Sequence, residues 1–491
     1  MPNKLNSTTS LPNLKGLDVG FDFKNTYTKL PDKFFSRVLP GPVKKPSLLL
    51  FNQNLASDLG LNFSKVTDHD KASIFSGSGF LKNADYISQA YAGHQFGYFT
   101  VLGDGRAMLV GEHITPKKER FDVQLKGSGL TPYSRSGDGR AAIGPVLREY
   151  LVSEAMFYLG VSTTRSLAAV ATGEKIIREK ELSGAVLTRV AKSHVRVGTF
   201  QYIATLRNED FLKKLFDYSF ERHFDKTTQK DPIFFLKQII EKQISLVVDW
   251  MRVGFVHGVM NTDNMAISGE TIDYGPCAFL DNFDFNSVFS SIDHNGRYAY
   301  GNQPSVAHWN LVRLAECLIP LIDKNETLAI DKIKRVFSDF PNNYKKRWLE
   351  MMRNKIGFTN ELDGDESIVD ELLSIMTKNK LDFTNTFSSL TKNKLADCHH
   401  SLKGWLERRA SRLKKNNKGM GYSESLMKKN NPCIIPRNHV VENVLNEAEQ
   451  NNLGPFNDFA KLLQTPYKDV EDDYYKSPPV SDKPYKTFCG T

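Results

Sequence analysis

The chain has 491 residues, enough for more than one structural lobe, which excludes a peptide hormone, a disulfide-knotted miniprotein or a lone binding module. Hydrophobic residues at 40% and charged residues at 25% match a soluble globular chain and exclude a disordered or fibrous one. The formal charge of +9 is spread along the whole length with no zinc-finger spacing and no RNP-like string, so it predicts a solvated basic surface and no nucleic-acid partner.

In chain order, residues 1 to about 20 read as a flexible lead. The lead has no apolar signal-peptide core, and longer apolar runs such as Ile244 to Phe255 are broken by charge, so neither secretion nor a membrane is expected. It is rich in serine and threonine and free of acid before Asp18, but it also lacks arginine. The cytoplasm is the expected compartment, a mitochondrial presequence the lesser alternative. Prolines in LPGPVKKP (39–46) enforce extended backbone, and an amphipathic helix is predicted over Leu48 to Leu59, closed by Gly60. From Phe99 to Lys126 the pattern is strand, Gly-rich turn, strand, charged loop, strand. Pro145 then opens a helix to Leu159, with Val146, Leu147, Tyr150, Leu151 and Met156 on one apolar arc and Gly160 at its end. Lys175–Arg178 and Ala185–Val190 read as a strand pair meeting at an ELSG turn. A long helix is predicted from Pro232 to Val253, ended by Gly254, and helices dominate from Val306 onward. The basic stretch 410–432 reads as loop, and the tail after Tyr467 as surface chain without regular structure.

The five cysteines, Cys277, Cys317, Cys398, Cys433 and Cys489, are too scattered for a disulfide framework and form no CxxC pair, so a reducing compartment is the default.

Several constellations carry chemistry. Gly103-Asp104-Gly105-Arg106 lies where a nucleotide-covering hairpin turn would be, because glycines let backbone amides approach phosphate closely. Alone it is an ordinary turn, and no Walker A string is present. Lys126 ends the following strand and Glu149 lies on the helix after it. A strand lysine on phosphates, held by a helix carboxylate, is the positioning device of protein-kinase-like enzymes. His257 to Asn264 can be laid over the kinase catalytic-loop pattern, with Asn264 at the metal-binding position but Val259 where the catalytic aspartate belongs. Asp263 is the nearest carboxylate that could replace it. Nine residues after Asn264 comes Asp273-Tyr274-Gly275, a variant of Asp-Phe-Gly whose aspartate holds magnesium. Arg189 and Arg196 add a pair that an ordinary kinase lacks, suited to bidentate phosphate contacts.

These residues sit in strings that resemble the selenoprotein O family of protein adenylyltransferases: YAGHQFGYFTVLGDGRAMLVGE (91–112), QLKGSGLTPYSRSGDGRAAIGPVLREYLVSEAM (124–156), HVRVGTFQY (194–202) and VGFVHGVMNTDNMAISGETIDYGPCAFLD (253–281). Others, NTYTKLPDKFFSRVLP (25–40), GNQPSVAHWNL (301–311) and NPCIIPRNHVVE (431–442), extend the resemblance nearly end to end. It implies an α+β, protein-kinase-like two-lobed fold, with a strand-rich N-lobe, a helical C-lobe and terminal extensions. The divisions expected are 1–85, 86–205, 206–410 and 411–491. The resemblance further implies ATP bound inverted relative to a kinase, and AMP transferred to Ser, Thr or Tyr hydroxyls of proteins with release of pyrophosphate. Gly103, Gly105, Arg106, Lys126, Asp138 and Gly139 would contact the nucleotide, with Glu149 holding Lys126 and Arg189 and Arg196 on the outer phosphates. Asp263 would accept the proton, and Asn264 and Asp273 would bind Mg²⁺ or Mn²⁺, Asp273 also facing the ATP. Cys489 stands where some relatives carry selenocysteine, and some bacterial members pair a C-terminal cysteine with one in the loop after DYGP. Here that loop, DNFDFNSVFSSID (281–293), holds no cysteine, and only Cys277, directly behind Pro276, is nearby, which puts the disulfide in doubt. A monomer is expected. The rivals are a true kinase and a non-catalytic ATP-binding pseudokinase scaffold.

Overall fold

Backbone pairing, more than local propensity, decides the first third of the chain. In the computed structural model, which describes residues 18–79, 81–225, 227–397, 399–479 and 485–487, Phe35–Arg37 (β1), Ser47–Phe51 (β2) and Ile87–Gln89 (β3) are strands. The 1–17 lead and Cys489 lie outside the described residues. Further strands are Ala92–Gln95 (β4), Tyr98–Val101 (β5), Ala107–Ile114 (β6), Arg120–Lys126 (β7), Ala141–Ala142 (β8), Arg165–Ile177 (β9) and Glu181–Ala191 (β10). One eight-stranded sheet runs β1-β3-β6-β7-β10-β9-β2, with β8 added to β10, and its strands pair antiparallel. Short helices Gln53–Asp58 (α1) and Asp68–Ser76 (α2) cover it, and Ile143–Tyr158 (α3) packs on β9 and β10.

Three expectations for this region need correction. Leu48 to Phe51 pair with the edge of β9 as β2, because an open sheet edge satisfies their backbone. The helix starts only at Gln53, with the Asn52 side chain accepting from Leu55 N, and Gly60 then takes the left-handed conformation. The turn between β9 and β10 lies at 178–180, so ELSG is the start of β10 and not a turn. The Gly103–Arg106 turn joins two different sheets, since β5 pairs with β4 alone and β6 with β3 and β7.

Beyond β10 the chain is helical. Val197–Thr205 (α4), Glu209–His223 (α5) and Pro232–Val253 (α6) lead to the short strands Phe255–Val256 (β11) and Ala278–Phe279 (β12), which pair across the irregular segment between them. The Asp231 side chain caps α6 and Gly254, at φ 73°, ends it, as its sequence pattern requires. Gln303–Ile322 (α7), Glu326–Phe337 (α8), Phe340–Ile356 (α9), Asp365–Lys378 (α10) and Phe383–Thr391 (α11) follow, packed around one large core. The 410–432 stretch is also corrected. It holds the end of Lys403–Leu413 (α12) and all of Met420–Asn430 (α13); Arg412 is buried and pairs with Asp365, as Arg409 just before the stretch donates to Ile356 O, while the lysines of the stretch stay exposed. Asn438–Glu449 (α14) and Gly454–Leu462 (α15) then return to pack on α3, and Asp473–Lys476 (α16) is a single turn in the tail. Among the described residues no helix is long and apolar enough to cross a membrane.

Candidate active site

Register places the first cations. Lys126 pairs with Leu187 and Gln124 with Arg189 across β7 and β10, so all four side chains share one sheet face. That face meets α3, where Glu149 receives Lys126 Nζ at 2.6 Å and Arg189 at 3.1 Å. Arg189 is 1% exposed and its guanidinium also donates to the Gln124 side chain, so it is fixed from two sides.

The irregular segment after α6 supplies the opposite wall. His257 donates from Nε2 to Ile272 O at 2.9 Å, tying the start of the segment to the residue before Asp273. Asp273 has φ 65°, a left-handed backbone that turns its carboxylate toward the strand cations. One oxygen accepts from Lys126 and Arg189, each at 2.7 Å, and the other from Arg196 at 3.1 Å. Burial opposes its ionisation, but these three cations hold its carboxyl well below the usual carboxylate range. Arg196, the residue before α4, also donates to Asp263 O and stacks 4.5 Å over the Tyr91 ring.

Asp263 is 6% exposed, and its Oδ1 has no hydrogen-bond partner among the described residues. Burial pushes its carboxyl up to about 6, with Arg196 and Gln95 pulling the other way. Gly93 has no space for a side chain, because a Cβ there would overlap the Asp263 carboxylate. Asn264 donates its amide nitrogen to Val259 O at 2.9 Å, which leaves the amide oxygen as its acceptor. The pair Asn264 and Asp273 is a set of hard oxygen donors, the kind Mg²⁺ and Mn²⁺ take together with phosphate oxygens and water. Among the described residues no cluster of three or more His, Cys, Asp or Glu side chains forms a self-sufficient metal cage.

A cavity of about 650 Å³ opens between these walls, lined by Gly105, Arg106, Lys126, Glu149, Arg189, Arg196, Asp263, Asn264 and Asp273. Three residues expected at the nucleotide do not line it. Gly103 and Gly105 are small for packing reasons, since a Cβ at either would meet the Tyr133–Ser134 backbone or ring, and only Gly105 reaches the cavity. Asp138 is held by Arg178 at 2.8 Å and caps Arg140 N, and its neighbour Gly139 packs on Gly129 O.

Sequence reasoning missed several lining residues. Asp104 is 2% exposed and accepts from Gln89 N and Gln124 Nε2, so it braces the strand carrying Lys126's neighbours. Its place between the two glycines was a signal that could have been read. Tyr91 and Gln95 offered none beyond the string they sit in. Glu442, Leu445 and Glu449 of α14 and Tyr485 to Thr487 of the tail reach the cavity from far along the chain. The tail is therefore not plain surface chain. Thr487 bridges to Ser290, donates from its Oγ1 to Pro276 O at 2.7 Å, and Tyr485 bonds Glu442. Cys277 is buried, its thiol pushed up to about 11, so it is held protonated.

Lys126, Arg189 and Arg196 gathered on the Asp273 carboxylate, with Asn264 beside it on the same cavity, suit a polyphosphate substrate and a hard metal ion. A family model described as protein adenylyltransferase SelO matches residues 19–464, and the chain belongs to that family. It is 50% identical over 484 residues to the protein nucleotidyltransferase YdiU of Geobacillus kaustophilus, covering 97% of this chain and all of the relative. It is 52% identical over 486 residues to the protein nucleotidyltransferase YdiU of Clostridium botulinum strain Hall, covering 97% and 99% of the two chains.

Proposed function

We propose that this chain transfers AMP from ATP to serine, threonine or tyrosine hydroxyls of other proteins, in a two-lobed kinase-like fold that binds ATP inverted relative to a kinase. The observation that carries this reading is Asp273, its two oxygens shared by Lys126, Arg189 and Arg196 at the wall of one cavity. A triphosphate entering there meets preformed positive charge, to which the buried arginine pair contributes at the outer phosphates. The acceptor hydroxyl oxygen bonds to the α-phosphorus as the bond from that phosphorus to the bridging oxygen breaks. Pyrophosphate leaves, and the hydroxyl proton passes to Asp263, whose buried Oδ1, without a partner among the described residues, suits a proton acceptor. Mg²⁺ or Mn²⁺ held by Asn264 and Asp273 would add charge neutralisation at the phosphates.

A kinase is the weaker reading, because Val259 stands where the kinase base belongs and no kinase function explains the buried arginine pair. We divide the chain for this function into 1–85, a strand-rich lobe at 86–205, a helical lobe at 206–410 and an extension at 411–491, and expect it to act as a monomer in the cytoplasm. The test uses ATP labelled at the α- or the γ-phosphate, with Mg²⁺ or Mn²⁺, following label on protein. Label from the α position alone is the expected result. Label from the γ position makes the chain a kinase, and none from either with ATP still bound makes it a scaffold.

A further inference from the structure

The hairpin of β4 and β5 stands apart from the main sheet and leans on the 261–264 segment. Its turn is Phe96-Gly97, with φ of 51° and 93°, the left-handed pair that a two-residue hairpin requires. Such a turn makes Gln95 and Tyr98 a hydrogen-bonded pair, and alternation extends this to Gly93 with Thr100 and Tyr91 with Leu102. Leu102 N donates to Tyr91 O at 2.9 Å, in agreement. The backbone groups of His94 on β4, and of Phe99 and Val101 on β5, therefore point out of the hairpin. On β4 the outward edge is used, His94 N donating to Thr262 Oγ1 at 2.7 Å and Phe96 N to Asn261 Oδ1 at 3.2 Å.

On β5 the outward edge is open. Neither Phe99 nor Val101 makes a backbone hydrogen bond beyond the hairpin to any described residue. Tyr98 is 80%, Phe99 44% and Val101 56% exposed, and the run Tyr98–Val101 has no charge and no proline. Sheet edges of this composition are normally blunted, because they pair with any extended chain they meet.

We propose that the β5 edge docks an extended segment of the acceptor protein as a third strand, carrying its hydroxyl toward Asp263; the inference rests on the transfer function proposed above. Position supports that occupant. The hairpin face bearing Gly93, Gln95, Tyr98 and Thr100 is the one turned to Asp263, since Gly93 abuts that carboxylate and Gln95 lines the cavity beside it. Strands lie about 4.8 Å apart, so a third strand runs roughly 10 Å from Gly93, a gap that a tyrosine or two to three residues of continuing chain can span. Charge supports it as well. On the other face Phe99 meets His94, His94 meets Trp309, and Arg297 stacks on Trp309 without a carboxylate partner among the described residues. The docked segment is thus β-branched or aromatic at alternating positions, with an acidic residue on the Phe99 side.

The test uses the full chain and a fluorescein-tagged ten-residue peptide that alternates valine and threonine around one tyrosine and one glutamate, beside the same peptide interrupted by proline. The uninterrupted peptide is expected to bind at least about tenfold more tightly and to slow amide exchange at Phe99 and Val101. Val101→Pro removes an outward N–H while leaving the hairpin's own bonds, and should abolish that preference and raise KM for labelling the peptide, with kcat and ATP binding unchanged. Val101→Lys should act in the same direction, and Arg297→Gln should weaken binding of the glutamate peptide several-fold. Equal binding of the two peptides, absence of amide protection, or wild-type binding by both Val101 variants overturns the proposal. Binding and exchange are read without turnover, so they decide the docking whether or not AMP is transferred; labelling with an unaltered KM in both variants overturns the docking and leaves the transfer intact.

Discussion

Asp273 is the residue through which the two walls of the site communicate. Removing it leaves Arg189 and Arg196, 1% and 3% exposed, without a carboxylate that both now share. Asp273→Ala is therefore expected to lower stability by about 3 kcal/mol in denaturant unfolding, beyond the loss of activity that any change at this position brings. Asp273→Asn, which keeps the acceptor oxygen, should retain more stability yet label protein at least about 1000-fold more slowly. Glu270 offers a separate titration. It is buried, accepts from Lys192 N and Ser268 Oγ, and burial pushes its carboxyl from 4.5 to about 7. With the folded-state value raised, its contribution to stability is complete below about pH 4.5 and is lost as the pH rises through about 7. Glu270→Gln should thus stabilise the protein by about 2 kcal/mol at pH 8 and by nearly nothing at pH 4, measured by urea unfolding at both. At this scale order and spacing in the sequence singled out Lys126, Glu149, Asp263 and Asp273, which the fold brings to one cavity. It could not show that Asp138 is spent on Arg178, because that pairing depends on where the β9–β10 turn falls.

At the scale of elements, the helices with complete end signals were legible and the segments decided by a partner were not. Asp231, Pro232 and Gly254 bracket α6, and Gly160 ends the α3 turn, each through local backbone chemistry. Leu48–Phe51 has an apolar run that suits a helix face or a strand, and only the free edge of β9 chooses between them. The basic 410–432 stretch reads as loop because the burial that orders α12 comes from partners 47 or more residues away, Ile356 O for Arg409 and Asp365 for Arg412. The seat of the β4–β5 hairpin on Asp263 can be checked directly. Gly93→Ala would drive a methyl into Asp263, so we expect labelling to fall about 100-fold while the far-ultraviolet circular dichroism is unchanged. Gly198→Ala should instead destabilise the fold, since its Cβ would overlap the Ala92 carbonyl, which is backbone and cannot turn aside.

Over the whole molecule, the C-terminal extension closes what the first three hundred residues build. Arg148 of α3 bonds both Glu442 of α14 and Cys277 O behind the Asp273 turn, and Tyr485 joins the same glutamate. Thr487 straps the segment behind Pro276 through bonds to Phe289 O and from Ser291 N. A chain ending at Pro479 should speed amide exchange across 287–292 roughly tenfold, with a smaller fall in ATP affinity; unaltered exchange would show that the strap does not hold that segment. The sequence by itself determined the family, the ends of α6, the C-terminal end of α3 and the order of the charged residues, because these follow from spacing and local backbone chemistry. Only the tertiary structure decided that three cations share one carboxylate, that Asp263 has a buried oxygen without a partner among the described residues, and that the tail comes back to the cavity. Each of those depends on which distant backbone a segment pairs with, and hydrogen bonding between segments hundreds of residues apart leaves no local trace in composition or period.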